Sequence, residues 1–449
     1  MMDKKAIWVV AGCLVALVGW QLLVNKLYPP IPKTARPPVV STVTNEAPPA
    51  ADAPVASPAP ALEPERPRPP EQVAVLENQF VRVTFTSWGG GIRSVELLQH
   101  RQNGQGPVVL NTNGVPALAW RGSEQGAYEL TQPDPNTVVF RGGGGEKRFT
   151  LGDDYVVSAT FVAPGAVSLP VAIGTAASLD PHEAPDLLVA GWLVDTKYHK
   201  AGPKKVKDGE QSVAAPIRWG AVQNQYFAMV LTPTNTATAI HYERVRLPPN
   251  TAKSAEPAPG IRAWLAVPVD TNGMAHATWY AGPKELKRLR ALGRGQEETM
   301  DFGFFGIISL GLLWSMNFFH NAIPNYGVAI ILVTVCIKIL FWPIQAKSIK
   351  SMKEMQKFQP VMAKLKEKYK DDPQKMNAEM MRLYKEHKIN PFAGCLPMVV
   401  QIPVFFAFYT MLRSAVELRG ASFLWIQDLA QPDTVARLAG LPLNPLPLA

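Results

Sequence analysis

Cysteine is scarce in this 449-residue chain. There are three, Cys13, Cys336 and Cys395, and none lies between residues 14 and 335. The middle of the chain therefore has no internal disulfide to staple it. The three cysteines and seven histidines form no cluster at ligand spacing, which argues against a metal site. Charge is missing locally. Between Phe302 and Ala346 the only Asp, Glu, Lys or Arg is Lys338, and Ile389 to Leu412 carries none. No internal repeat is visible, so a transporter built from paired halves is disfavoured.

What is present is uneven. There are 42 prolines, and the net charge is +9 with 18% charged residues. A basic balance fits nucleic acid or an anionic membrane surface, and the position of the charge decides between them. Lys4 and Lys5 precede an uncharged run from Ala6 to Val24, just long enough for a helix to span a bilayer. Val10-Ala11-Gly12-Cys13 resembles a lipoprotein cleavage box, but too few apolar residues precede it for a signal peptide. An uncleaved anchor over residues 1–27 is expected. Residues 28–72 are rich in Pro and Ala and read as a flexible linker.

Residues 73–300 change character. Phe80-Val81-Arg82-Val83-Thr84-Phe85 alternates as a strand does, as does Tyr155 to Val162, and glycine runs and Pro133-Asp134-Pro135-Asn136 supply turns. Many short strands indicate an all-β sandwich or barrel, closed by a basic helix near Pro283–Leu292. Residues 301–344 hold an apolar helix at Phe302–Phe319, a break at Asn321–Gly327, and a full span at Tyr326–Ile344. Residues 345–390 carry twelve Lys or Arg against six Asp or Glu. There Met352, Met355, Met362, Leu365 and Tyr369 form one helical stripe, and Met376, Met380, Leu383 and His387 a second. Asp372 can cap the second helix and Pro373 fits its first position, so a helical hairpin is expected. Residues 391–416 form a third span with Pro397 and Pro403. Residues 417–449 are mixed, with Trp425 as an interface anchor, and the final apolar run reads as a span about to begin, so the chain is expected to be truncated.

Charge sets the topology. Basic segments stay in the cytoplasm, so the N-terminus and the hairpin are inside and the β domain is outside. Parity then requires Phe302–Phe319 to lie along the outer face rather than cross.

Lys338 stands out chemically. A charge within a span costs a few kcal/mol and is functional by default, although a lysine near a helix end can also snorkel to the interface. Both readings stay open. Thr334 lies one turn earlier on the same face; it either bonds backbone or helps wet a cavity. Gln401 sits mid-span in the third helix, as helix–helix glue or as a wall of a hydrophilic groove. Pro397 and Pro403 free carbonyls that a wet groove would tolerate. The hairpin methionines read as core, and its lysines as a solvated face or as contacts to phosphates of RNA or lipid.

Several stretches resemble the YidC-type membrane-protein insertases: Val333 to Ile344, Met380-Met381-x-Leu383-Tyr384-Lys385, Asn390 to Pro397, Gln401-Ile402-Pro403, Val416-Glu417-Leu418-Arg419, and in the β domain Gln225-Tyr226-Phe227 and Tyr280 to Lys284. The resemblance covers nearly the whole chain apart from the proline-rich tether. It implies a protein that inserts and folds nascent proteins in the bacterial inner membrane, alone or with the Sec translocon. The family's intramembrane arginine corresponds to Lys338, which keeps the charge and loses the guanidinium fork. Thr334, Lys338 and Gln401 match its hydrophilic groove; Ile402 and Pro403 match positions where the third span meets substrate. Its outer domain is a supersandwich like those that bind sugars, with no ligand implied here.

The expected fold is thus a multi-domain membrane protein: an α-helical transmembrane core with a cytoplasmic helical hairpin, plus an all-β, supersandwich-like periplasmic domain. The expected function is insertion, without catalytic residues, metal or cofactor. Expected partners are nascent membrane proteins, the Sec translocon, and ribosome or anionic lipid at the hairpin. The rival from another class is a membrane protease with Lys338 as base, which lacks a serine at comparable depth.

Overall fold

A computed structural model describes residues 69–443 except 103–105, 113–114, 181–182, 204–205, 207–208, 249–256, 370–372, 387–395, 432–435 and 439–440. The expected anchor at Ala6–Val24, Cys13, the tether as far as residue 68, Asp371, Asp372, His387, Cys395 and the final apolar run from residue 444 lie outside the described residues.

The β domain is a sandwich of two antiparallel sheets. Strands β1 (Val73–Glu77), β2 (Val81–Thr86), β3 (Gly91–Arg101) and β4 (Pro107–Leu110) pair in chain order. The larger sheet contains β5 (Glu129–Asp134), β6 (Thr137–Gly142), β7 (Gly145–Leu151), β8 (Val156–Val162), β9 (Ser168–Ala177), β10 (Val189–Val194), β11 (Lys197–Ala201), β12 (Glu210–Gln223), β13 (Phe227–Pro233), β14 (Ala237–Leu247), β15 (Ala258–Pro268) and β16 (Met274–Pro283). Its order is β5-β6-β7-β8-β16-β13-β12-β14-β15-β9, with β10 paired to β12 and β11 to β10.

Alternation explains the layers. Val81, Val83 and Phe85 of β2 are buried while Arg82 and Thr84 between them are not. Phe85 meets Phe140 and Phe149 of the facing sheet at ring distances of 6.3 and 5.7 Å. The glycine run before β3 has a packing reason. Gly89 and Gly90 have φ of +75° and +55°, and a Cβ on Gly89 would meet Glu124 O at 2.6 Å. The carbonyl of Gly89 accepts from the buried Lys147 Nζ at 2.7 Å. That amine lies over the rings of Trp120 and Tyr128, at 4.5 and 4.4 Å, and burial draws it down to about 7.

After α1 (Leu286–Ala291) and two short 3-10 turns come α2 (Gly306–Ala322), α3 (Tyr326–Lys357), α4 (Gln359–Lys368), α5 (Pro373–Glu386) and α6 (Leu396–Ser414). Among the described residues two helical segments, Gly303–Ala322 and Tyr326–Lys357, are long and apolar enough to cross a membrane. Helix α2 packs against both α3 and α6. Its Leu312, Leu313 and Met316 are buried with Ala329 and Val333 of α3 and Ala407 and Met411 of α6.

The first hairpin stripe is not one helix. Helix α3 continues unbroken past Ile344 to Lys357, and the chain breaks at Phe358 before α4, which has Pro360 in its first turn. A proline there cannot supply the N–H that would continue the preceding helix. Met352 and Met355 therefore lie on α3, and Met362 and Leu365 on α4. Tyr384 of α5 meets Met362 of α4, its hydroxyl 3.2 Å from the sulfur.

Gly327, at the start of α3, is where the turn after α6 lands: a Cβ there would sit 2.2 Å from Phe423 Cγ. Phe423 and Ile426 exchange backbone hydrogen bonds, which hold the ring in place. Gly327→Ala should cost about 1–3 kcal/mol by overpacking, seen as a lower thermal midpoint of the detergent-solubilised protein. An unchanged midpoint would mean that the Phe423 turn swings away freely.

Candidate functional site

Helix α3 presents two polar residues, Thr334 and Lys338, of the expected second span. Asn325 starts it by accepting from Val328 N at 3.1 Å. Gly327, Ala329 and Val333 face inward. Thr334 and Lys338 lie on the exposed flank, and with Val335, Ile339 and Trp342 they line an open recess of about 370 Å³. Thr334, Lys338 and Trp342 are spaced by four, so they form one stripe on that flank.

The Thr334 hydroxyl donates to Ile330 O at 2.9 Å. Its proton is thus held by backbone, and Lys338 has no ion-pair partner among the described residues. Nothing in the recess pairs a nucleophile with a base. Pro343 lies inside α3. Lacking an N–H, it leaves the carbonyl of Ile339, one turn earlier, without its helical donor. An acceptor thus stands on the wall next to Lys338, a feature the sequence reading passed over although the spacing of four was visible. Trp342 was likewise missed as a wall residue.

The other expected groove residues lie on α6. Gln401 and Pro403 are half-buried and Ile402 is exposed. They do not line the recess around Lys338. The structure brings Thr334 and Lys338 together and leaves Gln401 on a separate wall. Between α2 and α6 the contact is polar as well as apolar: Ser309 Oγ donates to Ala407 O at 2.9 Å and lies 3.1 Å from Thr410 Oγ1. Pro403, inside α6, frees the carbonyl of Val399 as Pro343 frees that of Ile339.

A second cavity, of about 200 Å³, lies between the β domain and the helices. Gln225 and Tyr226 line it from one side, and Ile330, Tyr409, Leu412 and Arg413 from the other. The Gln225 amide uses both ends. Its Oε1 accepts from Ala184 N at 2.6 Å, and its Nε2 donates to the Tyr226 hydroxyl and to Arg413 O, both at 2.8 Å.

Two protein families match the chain: the YidC periplasmic domain over residues 73–315 and the 60Kd inner membrane protein over residues 318–449. A membrane protein insertase YidC of Pelobacter propionicus is 32% identical over 419 residues, covering 84% of this chain and 75% of that protein. One from Syntrophus aciditrophicus is 41% identical over 228 residues, covering 50% of this chain and 40% of its own. The crystal structure of YidC from Thermotoga maritima aligns with 12% identity and a TM-score of 0.29 over 80% of this chain and 84% of that one. The family matches and the 32% identity over most of both chains show that the chain belongs to the YidC family of inner-membrane protein insertases, which are not enzymes.

Proposed function

We propose that this insertase accepts its substrates along the flank of α3 that carries Thr334 and Lys338, with α6 as the facing wall. The observation that carries the reading is the recess of about 370 Å³ around an exposed lysine that is the one charged residue in the Tyr326–Ala346 part of α3. A polar substrate tail crossing hydrocarbon leaves backbone groups unsatisfied, at several kcal/mol each. A wet recess shortens that path. The Lys338 amine and the free Ile339 carbonyl offer a donor and an acceptor along it. Gln401, Ile402 and Pro403 then meet the apolar part of the substrate from α6.

In the topology that we propose, the chain is multi-pass. The β domain lies in the periplasm, α3 and α6 cross, α2 lies along the outer face, and the α4–α5 hairpin is cytoplasmic. Parity and the twelve basic residues of residues 345–390 support this. The domain limits follow the same reading: anchor 1–27, linker 28–72, β domain 73–300, α2 and second span 301–344, hairpin 345–390, third span 391–416 and outer segment 417–449. The hairpin is offered as the contact to ribosome or anionic lipid, and the outer face as the side available to the Sec translocon.

Accessibility tests the recess. Cys336 is exposed but lies off the Thr334–Lys338–Trp342 stripe, so it faces lipid. In the protein with Cys336 as its only cysteine, a membrane-impermeant thiol reagent added from the cytoplasmic side should not react. Cysteine at 338, with Cys336 replaced, should react from that side. Equal labelling of the two would remove the wet recess.

Charge tests the role of the amine. Lys338→Arg should keep insertion, since a single positive charge suffices. Lys338→Ala should slow insertion of substrates with acidic tails by roughly tenfold, the effect of losing about 1.4 kcal/mol, and affect neutral tails less. If Lys338→Ala is neutral for every substrate, the lysine is only a snorkelling anchor.

A further inference from the structure

The stretch Val416-Glu417-Leu418-Arg419 takes no part in the recess around Lys338. It opens with a 3-10 turn, Val416–Leu418, just after α6 ends at Ser414. Val416 and Leu418 are buried. Glu417 between them reaches α2, where Asn317 Nδ2 donates to its Oε1 at 3.5 Å, across 100 residues of chain. The other oxygens of the same two side chains, Asn317 Oδ1 and Glu417 Oε2, are both buried, and neither has a hydrogen-bond partner among the described residues.

Two orphaned acceptors on side chains that already share one bond have a simple resolution. An ionised carboxylate offers only lone pairs, and so does an amide oxygen. Each then stays unsatisfied, which is costly away from water. One proton on Oε2 turns that oxygen into a donor. Acid and amide can then close a ring of two hydrogen bonds, Nδ2–H to Oε1 and Oε2–H to Oδ1. A counter-ion would be the other resolution, since a buried charge is tolerated when paired and otherwise neutralises. The cations nearest in sequence are taken: Arg413 pairs with Asp186, and Arg419 with Glu183. Glu417 itself has no ion pair among the described residues. The other groups that face it are Glu285, held by Arg288 before α1, and Tyr326 at the start of α3, on which the His320 ring of α2 stacks at 3.7 Å. None of these supplies a fixed positive charge.

We propose that Glu417 and Asn317 form a proton-binding site, a carboxylic acid–amide pair that latches α2 to the turn after α6. Burial pushes the Glu417 carboxyl above its ordinary value of 4.5, and Glu285 acts in the same direction, against hydrogen bonds from its own N–H and from Asn317. A carboxyl raised in the folded protein holds its proton more tightly there than in the unfolded chain. The latch is therefore at full strength below 4.5 and is lost as pH rises through the raised value. Ser309, near the other end of α2, bonds Ala407 O and does not titrate. Loss of the proton thus loosens the C-terminal half of α2 and leaves its N-terminal half held. In the topology proposed above the pair lies on the outer side, so the latch reads the outer medium; the proton site itself does not rest on that topology.

The test follows the full chain in detergent by infrared spectroscopy and by thermal unfolding between about pH 5 and 8, the range above the ordinary carboxyl value. Wild type should show the carbonyl stretch of a protonated, hydrogen-bonded carboxyl at the acid end, fading toward the alkaline end. Glu417→Gln should lack that band. Its amide N–H stands where the acid O–H stood, so this variant copies the latched state at every pH. The midpoint of wild type should match that of Glu417→Gln in acid and fall below it by roughly 2–4 °C at the alkaline end. Asn317→Leu removes the acceptor, so the band should move to the position of a free acid. If Asn317→Leu does not fold, the comparison of wild type with Glu417→Gln decides. No band that depends on Glu417 at any pH, or a midpoint difference that is flat across the range, would overturn the proposal: the two oxygens would then be met by water around an ionised carboxylate. Neither readout involves Lys338, so the groove stands or falls separately.

Discussion

Hydrocarbon offers no hydrogen bonds, and the helical part of this protein is arranged around that constraint. Every backbone group of a span must be satisfied within the helix or by water that reaches it. Helix α3 departs from the rule at two neighbouring points. Lys338 carries a charge, and Pro343 strips the donor from the Ile339 carbonyl. Both departures face or adjoin one recess. A lysine amine in such a place needs water, a counter-charge or an escape to the interface. No acidic partner is found for it among the described residues, which leaves water in the recess or escape along the stem.

Much of the architecture could be read from the chain because it is local. Period-two alternation in Val81–Thr86 and Val156–Val162 sets which side chains face inward, whatever the partner strand. Strand order is different. β8 lies beside β16 and β9 beside β15, pairings made across about a hundred residues, and no pattern within either strand names its neighbour. The hairpin shows the limit of periodicity. The stripe ran straight through Phe358 because Met355 and Met362 are seven residues apart, close to two whole helical turns, so the spacing does not register the break between them. Pro360 was the signal for the break. Of the groove residues, Thr334 and Lys338 were legible together because they share a helix, one turn apart. Gln401 was grouped with them because it is a polar residue in mid-span, and the likeness supported that; the recess does not include it, since its place on another helix is set by packing that no local pattern states.

The buried charges were illegible for the same reason as strand order. Lys147 is an ordinary lysine in an alternating strand until Gly89, Trp120 and Tyr128 converge on it. Glu183 sits in an irregular loop, and its partner is 236 residues away. Gln225-Tyr226-Phe227 was visible as a likeness, and the structure supplies its physics. Asn224 Oδ1 accepts from the N–H groups of Tyr226 and Phe227, at 3.1 and 2.8 Å, which makes the tight turn into β13. That turn aims the Gln225 amide at Arg413 O and sets the two rings under Arg419. Three consecutive residues thus form the seat on which the end of α6 rests.

The exposed faces of α3 and α6 complete the physical account. Ile331, Val335, Ile339, Leu340 and Trp342 on α3, and Met398, Val399, Ile402, Phe405 and Phe406 on α6, are all exposed. In water such surfaces would drive association. Against acyl chains they cost nothing, and on the proposed route a substrate helix leaving the recess would exchange places with lipid on the same surface without a change of solvent. The polar stripe of Thr334 and Lys338 runs along one edge of this apolar surface, so the proposed route would give the hydrophilic and hydrophobic parts of a substrate separate tracks on neighbouring faces. A single amine suits the polar track. It attracts an acidic tail from many approach angles, whereas a guanidinium fork rewards one planar geometry. On the proposed route either cation would serve, because the substrate has to pass on and what the route asks of position 338 is a positive charge and not a fixed planar contact.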